Sequence, residues 1–469
     1  RRRLLVRKLG LGSSGRREKL AAEMKILVVG AGAGGMAAAT RARRVNPSAQ
    51  ITVVEAGREF SRGTCSLPYF LSGELQDEQQ LWGADRQRLS EQDIELKLET
   101  RATRLRPTQK ILETTRDSYH YDKLIVGTGS RAKSTESLGL KPGEPRVWQL
   151  RTVEDVRKIR REIEALSIRR VAVIGGGYVG LEAAEALCRR GLQVTIFHQK
   201  STLVRLDEHL NRGLLEILRD KGVEVRLDTT VERVELASGQ LKSSGPDGSA
   251  NVNFDAFLIS CGIEPVADLL VEAGARTGRS GAVVVSARGE TGLNGVYACG
   301  DGVEVPNSRG GPGRWIPLAT TAARLGRICG ENAAGGSRRI GTSLAALAVR
   351  VFDLELGLVG LPQDWEDCRE VRFEWGEPEH PFPRRRRGRG VLFVDKQRET
   401  LKGMQVLCPE GSRLVDLASL CVEQELTLSD LQDLDCCYNP PLSSLWHPFY
   451  LASRVGEKES TGGKRFEFH

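Results

Sequence analysis

Cys65 is a cysteine without a nearby second cysteine, and its thiol could carry redox chemistry. Cys65 belongs to the segment Ser61–Tyr69, and the two positions that would close a CxxxxC pair with it, Phe60 and Phe70, are not cysteines. A single thiol can cycle as a mixed disulfide, a persulfide or a sulfenic acid, but it cannot form a local dithiol. Most isolated cysteines are structural, so the residue type alone favours a structural role for Cys65.

Two glycine-rich turns could each hold a dinucleotide. Glycines at this spacing permit a tight turn from strand to helix, backbone approach to a pyrophosphate, and close helix packing. A lone GxGxxG pattern is weak evidence, but each turn here follows a predicted strand and opens a predicted helix. We therefore predict two bound dinucleotides, with their phosphates at the two helix N-termini. The glycines are Gly30, Gly32 and Gly35 in the first turn, and Gly175, Gly177 and Gly180 in the second.

The residue that follows the second strand differs between the two units. In the first unit it is Glu55, a carboxylate that could accept hydrogen bonds from the ribose of FAD or NAD. In the second unit it is His198, with Lys200 two residues further on. A ribose 2′-phosphate would be repelled by a carboxylate and attracted by cations. We therefore predict NADPH as the second dinucleotide, with NADH as the alternative.

Parallel sheets must position these residues. Short β-branched runs alternate with helices twice along the chain, which indicates doubly wound sheets. After about residue 336 the pattern changes to alternating strands, which predicts a separate α+β domain. The first unit runs through strand Lys25–Val29, a helix to Arg44 and strand Ile51–Val54. The second unit runs through strand Arg170–Ile174, a helix to Arg190 and strand Gln193–Phe197. The C-terminal strands are predicted at Ala346–Leu354, Gly390–Asp395 and Leu401–Val406, with a helix near Arg413–Glu425.

Composition and charge narrow the functional classes. The net charge of the 469 residues is +8, but residues 1–23 contribute +6 and the five arginines at 384–387 and 389 contribute +5, which leaves −3 for the rest. A nucleic-acid-binding domain needs a basic face of its own, so we predict no nucleic-acid partner. The arginine run could grip phosphates, but such runs are usually solvated loops.

Three further expectations follow from the bulk sequence. No apolar run reaches the roughly 18 residues that a membrane span needs, so no span is predicted. The ten cysteines lie mostly in apolar stretches and fit buried thiols in the reducing cytoplasm. The arginine-rich head superficially matches a transit peptide, but Met24 directly precedes the first strand, so we interpret residues 1–23 as an upstream extension.

Several segments resemble the coenzyme A disulfide reductase branch of the pyridine-nucleotide disulfide oxidoreductases. The resemblance extends from Met24 to about Ser453. It includes the Ser-x-x-x-Cys-x-Leu-Pro-Tyr segment, and it implies a glutathione reductase-like fold and a homodimer. The segments that carry it are 24–44, 61–69, 121–129, the second glycine turn with Leu181 and Glu182, 297–301, 341–361 and 435–441.

The resemblance also implies a domain order. Residues 1–23 are an N-terminal extension that we expect to be disordered. Residues 24–150 and 266–335 form the FAD-binding domain, 151–265 form the NAD(P)H-binding domain, and 336–469 form the dimerisation domain.

The resemblance assigns roles to individual residues. Cys65 is the nucleophile that holds the substrate thiol as a mixed disulfide and accepts electrons from flavin. Tyr438 is the tyrosine that the dimerisation domain lends to the partner's active site as a proton donor. Arg44 and Ser61 lie near bound coenzyme A. The FAD residues are Gly30, Gly32, Gly35, Glu55, Thr128, Gly129, Gly300 and Asp301, the NADPH residues are Gly175, Gly177, Tyr178, Gly180, His198 and Lys200, and no metal ligands are implied.

Some positions depart from the family's pattern. Ser66 stands where glycine is usual, Arg62 stands where phenylalanine is expected, and only His380 and Phe382 are available for a second tyrosine. These changes bear on the identity of the substrate more than on the chemistry. The related peroxidases use a histidine inside the first glycine turn, and this chain has Ala33 there.

Three functions remain as hypotheses, in order of preference. The first is an FAD-dependent NAD(P)H:disulfide oxidoreductase that reduces coenzyme A disulfide, coenzyme A persulfide or polysulfide. The second is an NADH oxidase or peroxidase that uses a cysteine sulfenic acid. The third is a flavoprotein that transfers electrons to a partner without thiol chemistry.

Overall fold

The computed structural model describes residues 23–61, 63–81, 89, 91–141, 143–307, 311–376, 387–439 and 443–460. Within these ranges the chain forms two five-stranded parallel sheets and one five-stranded antiparallel sheet, so the predicted fold class is confirmed. The domain boundaries stay predictions. Residues 1–22, Arg62, the segment 379–383 and Arg384–Arg386 lie outside the described residues. Among the described helices, none combines the length and apolar character needed to cross a membrane.

The first parallel sheet is assembled from distant parts of the chain. Helix Ala33–Val45 packs on its face against helix Ala319–Ala333. This packing is close because a Cβ at Gly326 or Gly330 would overlap the backbone of the first helix. Side chains of the central strand are buried since both sheet faces are covered. The strands, in spatial order, are Val296–Ala298, Lys123–Val126, Lys25–Val29, Gln50–Val54 and Ile94–Lys97.

The second parallel sheet repeats the pairing of the first. Lys25 pairs with Gln50 in the first sheet, and Arg170 pairs with Gln193 in the second, so the predicted alignment of the two units is confirmed. Glu55 and His198 therefore follow equivalent strand ends. The strands, in spatial order, are Val223–Arg226, Gln193–Phe197, Arg170–Ile174, Ala256–Ile259 and Val147–Trp148, and the helices are Val153–Ala165, Tyr178–Arg189 and Glu208–Asp220.

The C-terminal sheet is antiparallel, and it corrects one prediction. The single strand predicted over Ala346–Leu354 is wrong, because a two-residue turn at Phe352 and Asp353 reverses the chain. Apolar residues alternate on both sides of this turn, so the pattern alone does not mark it. The strands, in spatial order, are Leu347–Val351, Leu354–Val359, Leu401–Cys408, Gly388–Asp395 and Cys368–Trp375, and the helices are Gly411–Glu423, Leu428–Gln432 and Pro448–Ser460.

Shorter elements connect these three sheets. The pair Ser130–Ala132 and Ile263–Pro265 forms a two-stranded link where the chain leaves and re-enters the first unit. The remaining strands are Ala102–Arg106, Ile111–Thr114, Ser118–His120, Thr230–Glu235, Gln240–Gly245, Gly248–Asn253, Val283–Val284 and Val303–Glu304, the short α-helices are Leu67–Ser72 and Asp268–Glu272, and the 3₁₀ turns are Thr64–Ser66, Glu78–Leu81, Glu136–Leu138, Leu203–Arg205, Gly300–Gly302 and Pro362–Asp364.

Candidate functional site

The first glycine turn has one closed side and one open side. Gly30 has φ +92°, and its N–H donates to the Val54 carbonyl at 2.8 Å. A Cβ at Gly35 would overlap the carbonyl oxygen of Gly30, so these two glycines serve the turn itself. A Cβ at Gly32 would meet no atom within 4 Å. The open side at the helix N-terminus is therefore free to face a pyrophosphate.

Glu55 connects the end of its strand to this turn. Its Oε2 accepts the Ala31 N–H at 2.8 Å, and its Oε1 accepts the Gly57 N–H at 2.8 Å. Each carboxylate oxygen can accept a further hydrogen bond, so the group can still bind ribose hydroxyls. The structure thus places Glu55 at the first glycine turn, as its spacing predicted.

His198 takes the equivalent position in the second unit without the predicted charge. The Gly176 N–H donates to His198 Nδ1 at 3.1 Å, and Nε2 lies 3.1 Å from the Thr202 carbonyl oxygen. Because Nδ1 accepts, the proton must be on Nε2, and the ring is neutral. Burial, the largest effect, also lowers the pKa of His198. The expectation that His198 supplies a cation for a 2′-phosphate is therefore corrected.

Two exposed cations, Lys200 and Arg205, lie next to the second glycine turn. The Val204 N–H donates to the Gly176 carbonyl at 3.2 Å, which holds the turn Leu203–Arg205 over the glycines. Burial raises the pKa of Tyr178, and the nearby Arg205 guanidinium offsets part of this rise. Arg205 was missed by sequence reasoning because its own segment has no motif. These cations could replace His198 as phosphate partners.

The remaining glycines of the second turn repeat the arrangement of the first. A Cβ at Gly175 would overlap the Ser260 carbonyl oxygen, and a Cβ at Gly180 would overlap that of Gly175. At Gly177 it would meet no atom within 4 Å. The two turns therefore present the same kind of cradle to a ligand.

Asp301 lies in a polar group at the end of the first sheet. Its Oδ2 accepts a hydrogen bond from the Ser130 hydroxyl at 3.1 Å. Its backbone carbonyl oxygen accepts one from the Trp315 indole N–H at 2.7 Å. Burial raises the pKa of Asp301, and the Arg151 guanidinium opposes this rise. Arg151 also donates to the Ser130 carbonyl at 2.7 Å. Sequence reasoning found Asp301 but missed Arg151.

Thr128, Gly129 and Gly300 lie in the same region. The Thr128 hydroxyl donates to the Val266 carbonyl at 2.6 Å, and the Val266 N–H donates back to Gly129 at 3.0 Å. A Cβ at Gly129 or Gly300 would meet no atom within 4 Å. These positions leave backbone accessible to a ligand beside Asp301, as the flavin assignment requires.

Cys65 lies in the 3₁₀ turn Thr64–Ser66, which runs directly into helix Leu67–Ser72. The residue as a whole is exposed, but partial burial of its thiol raises the pKa of Cys65. The carboxylates of Glu182 and then Asp301 are close enough to raise this pKa further. The structure therefore brings the proposed redox cysteine into the neighbourhood of Asp301. At neutral pH the thiol is protonated.

A second carboxyl group, that of Glu182, lies close enough to act on the Cys65 thiol. Glu182 Oε1 lies 3.5 Å from the Tyr69 hydroxyl, which can donate a weak hydrogen bond to it. Burial raises the pKa of Glu182 to about 7, and burial together with the Glu182 charge raises that of Tyr69 to about 12. Both residues belong to segments that carry the family resemblance, but the sequence alone indicated no role for them. The available signal was a pair of acids, Glu182 and Glu185, among apolar residues after the second glycine turn.

Arg350 of the C-terminal sheet closes this cluster. Its guanidinium carbon lies 4.5 Å from the centre of the Tyr69 ring. It also binds Glu74 through two hydrogen bonds of 2.7 and 2.6 Å and lies 3.4 Å from Glu185. Buried Glu185 accepts the Phe352 N–H at 2.6 Å. The cluster therefore joins the redox-cysteine helix, the second glycine-turn helix and the C-terminal sheet.

The raised pKa of Glu182 predicts a pH-dependent change in stability. In an unfolded chain the carboxyl would titrate near 4.5, whereas in the folded chain it titrates at about 7. Ionisation therefore costs folding free energy, and this cost grows between these values and is complete above the higher one. Glu182→Gln should raise Tm by on the order of a few degrees at pH 8 and leave it unchanged at pH 4. Thermal unfolding at constant ionic strength measures this, and an equal Tm at pH 8 would contradict the assignment.

Ser61 and Arg44 lie at opposite ends of one helix. The Ser61 N–H donates to the Ala31 carbonyl at 2.7 Å, just before helix Ala33–Val45 begins. Arg44 is exposed in the last turn of that helix. Thirteen residues of helix separate the two ends by about 20 Å. One ligand can touch both residues only if it is elongated.

Other candidate residues lie elsewhere. Tyr438 is 54% exposed and lies between helices Leu428–Gln432 and Pro448–Ser460. Cys436 and Cys437 are both free thiols. Of the arginine run, Arg389 pairs with Glu374 at 3.2 Å and Glu216 at 3.3 Å. These ion pairs favour the structural interpretation for Arg389.

Comparisons with known proteins agree with this geometry. Residues 24–326 match the family model described as "Pyridine nucleotide-disulphide oxidoreductase". The chain is 27% identical over 451 residues to an "NAD(P)H sulfur oxidoreductase (CoA-dependent)" of Pyrococcus furiosus, covering 92% of this chain and 98% of the relative. It is 27% identical over 447 residues to a "Coenzyme A disulfide reductase" of Staphylococcus haemolyticus, covering 92% and 99%.

A solved structure is similar over the same length. The NAD-dependent persulfide reductase from A. fulgidus superimposes with a TM-score of 0.87 and 29% identity, covering 94% of this chain and 84% of that protein. The family match spans both glycine turns, Cys65 and Asp301. The chain therefore belongs to the pyridine nucleotide-disulphide oxidoreductase family.

Proposed function

We propose that this protein is an FAD-dependent NAD(P)H:disulfide oxidoreductase that reduces coenzyme A disulfide, coenzyme A persulfide or polysulfide through Cys65. The observation that carries the proposal is the placement of one accessible thiol within electrostatic range of Asp301. The pairing of a lone thiol with the flavin-side acid is what a single-cysteine mechanism needs. Relatives named for sulfur and coenzyme A disulfide reduction support the same class.

The residues present fit the two cofactors. Gly32 and Gly177 each leave an open side at a helix N-terminus, where a Cβ would meet no protein atom. A pyrophosphate can approach these N–H groups directly. Glu55 suits the adenosine ribose of FAD in the first turn, and the second turn suits NAD(P)H. When bound, flavin supplies the two-electron chemistry that links NAD(P)H to a disulfide.

The protein's own residues supply orientation and thiol chemistry. Cys65 attacks the incoming disulfide and holds one half as a mixed disulfide. The Ser130 hydroxyl donates to the Asp301 carboxylate, and Arg151 donates to the Ser130 carbonyl and so holds Ser130 in place. The separation of Ser61 and Arg44 favours an elongated substrate, which suits coenzyme A better than a small disulfide.

We propose a homodimer in which Tyr438 serves the partner's site. Large side chains are exposed on this part of the C-terminal region: Tyr438 at 54%, Leu445 at 62% and Trp446 at 54%. Exposed aromatic and aliphatic side chains of this size are typical of protein interfaces. All ten cysteines are free thiols, which fits the proposed cytoplasmic location.

The intact mass of the purified protein tests the proposed substrate class. We expect the oxidised protein to lose the mass of one coenzyme A on treatment with a reductant, because Cys65 holds coenzyme A as a mixed disulfide. The Cys65→Ser variant should show no such loss. A change of one oxygen atom instead would favour the NADH oxidase or peroxidase alternative.

We also propose that NADPH is preferred over NADH. Lys200 and Arg205 are exposed beside the second turn, and the position equivalent to Glu55 carries the neutral His198. The cations Lys200 and Arg205 would therefore attract a 2′-phosphate, whereas the Asp228 carboxylate, which also acts on His198, would oppose it. His198→Glu should lower kcat/KM for NADPH relative to NADH by at least about tenfold, since one unfavourable charge contact costs on the order of 1.4 kcal/mol.

The control for this prediction is Gln193→Glu. It introduces the same charge on the same strand but at the exposed end remote from the glycine turn. The ratio of the two kcat/KM values should be unchanged in this control. A wild-type preference for NADH would contradict the proposal.

A further inference from the structure

Cys65 and Tyr69 present one face of a continuous helical segment to Glu182. The 3₁₀ turn that holds Cys65 leads into helix Leu67–Ser72, and four residues separate the two side chains, about one helical turn. Glu182 Oε1 lies 3.5 Å from the Tyr69 hydroxyl. The Glu182 charge also acts on the Cys65 thiol. One carboxyl group therefore lies near both side chains.

The surrounding charges leave Glu182 as the unmatched acid. Arg350 binds Glu74 through two hydrogen bonds, and Arg189 binds Glu185 at 2.8 Å. The two guanidinium charges and the two carboxylate charges of these residues therefore neutralise one another. The groups that act on Glu182 are Tyr69, Glu185 and Arg350.

Asp301 is the other acid near the thiol, but its carboxylate already has a hydrogen-bond donor and a nearby cation. It accepts the Ser130 hydroxyl at 3.1 Å and is opposed by the Arg151 charge. These partners favour its ionised form. Glu182, with one weak hydrogen bond from Tyr69, exchanges a proton more readily.

We propose that Glu182 is the proton shuttle of thiol–disulfide exchange at Cys65, with Tyr69 as its positioning residue. The inference rests on the proposed function. The Glu182 carboxylate takes the proton as the Cys65 S–H bond breaks and the new Cys65–S bond to substrate forms. The substrate S–S bond breaks in the same exchange, and the Glu182 carboxylic acid protonates the departing sulfur.

The exchange balances without any other reactant. Cys65–SH and R–S–S–R give Cys65–S–S–R and R–SH, so one proton moves between two sulfur atoms and no electrons enter. The carboxyl's affinity for protons is suited to this role, since the pKa of Glu182 is about 7. The mixed disulfide is later reduced with electrons from NAD(P)H.

The first experiment compares two disulfides in the pre-reduced holoenzyme without NAD(P)H. One is coenzyme A disulfide, whose alkyl thiolate needs a proton to leave. The other is 5,5′-dithiobis(2-nitrobenzoate), whose aromatic thiolate leaves unprotonated. Glu182→Gln should slow single-turnover thiol release from coenzyme A disulfide by roughly a hundredfold without slowing release from the aromatic disulfide. Glu164→Gln, on an exposed part of the same domain, is the control and should change neither rate.

A second readout moves in the opposite direction. Alkylation of Cys65 by iodoacetamide, followed at its peptide by mass spectrometry, requires a thiolate but no proton donor. Removing the Glu182 charge lowers the pKa of Cys65, so Glu182→Gln should alkylate faster than wild type at pH 8. A variant that is merely damaged would not gain reactivity in one assay and lose it in the other.

Tyr69→Phe is a second variant that tests the same proposal if Glu182→Gln does not fold. Loss of the hydroxyl removes a hydrogen bond that favours the Glu182 carboxylate, so the rise of exchange rate with pH, expected near pH 7 in wild type, should shift upward. An unshifted profile in Tyr69→Phe, or equal slowing of both disulfides in Glu182→Gln, would overturn the shuttle. If wild-type Cys65 releases no thiol from any disulfide, the proposed function itself fails.

Discussion

Cys65→Ser should abolish disulfide turnover and leave reduction of the bound flavin by NADPH intact. A serine hydroxyl occupies nearly the same space in the turn Thr64–Ser66 but cannot form an S–S bond. Loss of the nucleophile should therefore lower kcat by at least about a thousandfold. The nucleotide sites lie on other elements and should be unaffected. Steady-state turnover and anaerobic stopped-flow reduction of the flavin measure the two quantities separately.

The control for this prediction is Cys188→Ser. Cys188 is also a free, partly exposed thiol, and its Sγ lies 3.2 Å from the Lys221 carbonyl oxygen, a contact that serine can keep. This variant should retain both activities. Turnover that persists in Cys65→Ser would show that electrons leave the flavin by another route.

Gly177→Ala should weaken NADPH binding without destabilising the protein. A Cβ at Gly177 meets no protein atom, so the added methyl group occupies only the space in which we place the pyrophosphate. We expect KM for NADPH to rise at least about tenfold, as steric contact with the phosphates costs on the order of 1.4 kcal/mol or more. Bound FAD and Tm should not change.

Gly180→Ala should behave differently, because its Cβ would overlap the carbonyl oxygen of Gly175. The turn must then shift, and Tm should fall together with NADPH binding. Gly341→Ala is the control, since a Cβ there also meets no atom within 4 Å but lies away from both turns. An unchanged KM in Gly177→Ala would mean that the nucleotide does not cross this cradle.

The glycine turns and the parallel strands around them could be predicted from the sequence because their constraints are local. A tight strand-to-helix turn needs glycines at fixed spacing, and buried parallel strands need short β-branched runs. The duplication also fixed the equivalence of Glu55 and His198, since both follow strands in the same register. Cys65 required a family resemblance in addition, because an isolated thiol has no local signature.

The turn at Phe352 and the charge state of His198 depended on tertiary contacts. Phe352 donates its N–H to buried Glu185, a residue far away in sequence, so the local pattern of alternating apolar residues continues through the turn unmarked. His198 is neutral because a backbone N–H and a carbonyl oxygen occupy its two nitrogens. Neither partner is visible in the histidine's own segment.

Likewise, only the tertiary structure indicates which groups can exchange protons at this site. Tyr69, Glu182 and Arg350 come from three separated segments, and packing alone brings a phenol, a carboxyl and a guanidinium together. Burial then raises the pKa of Glu182, an effect that depends on the atoms around the group. The sequence determined where the two glycine turns lie along the chain, because glycine spacing and strand patterns act over short distances. The tertiary structure determined which acid serves the thiol, because electrostatic environment is a property of distant segments in contact.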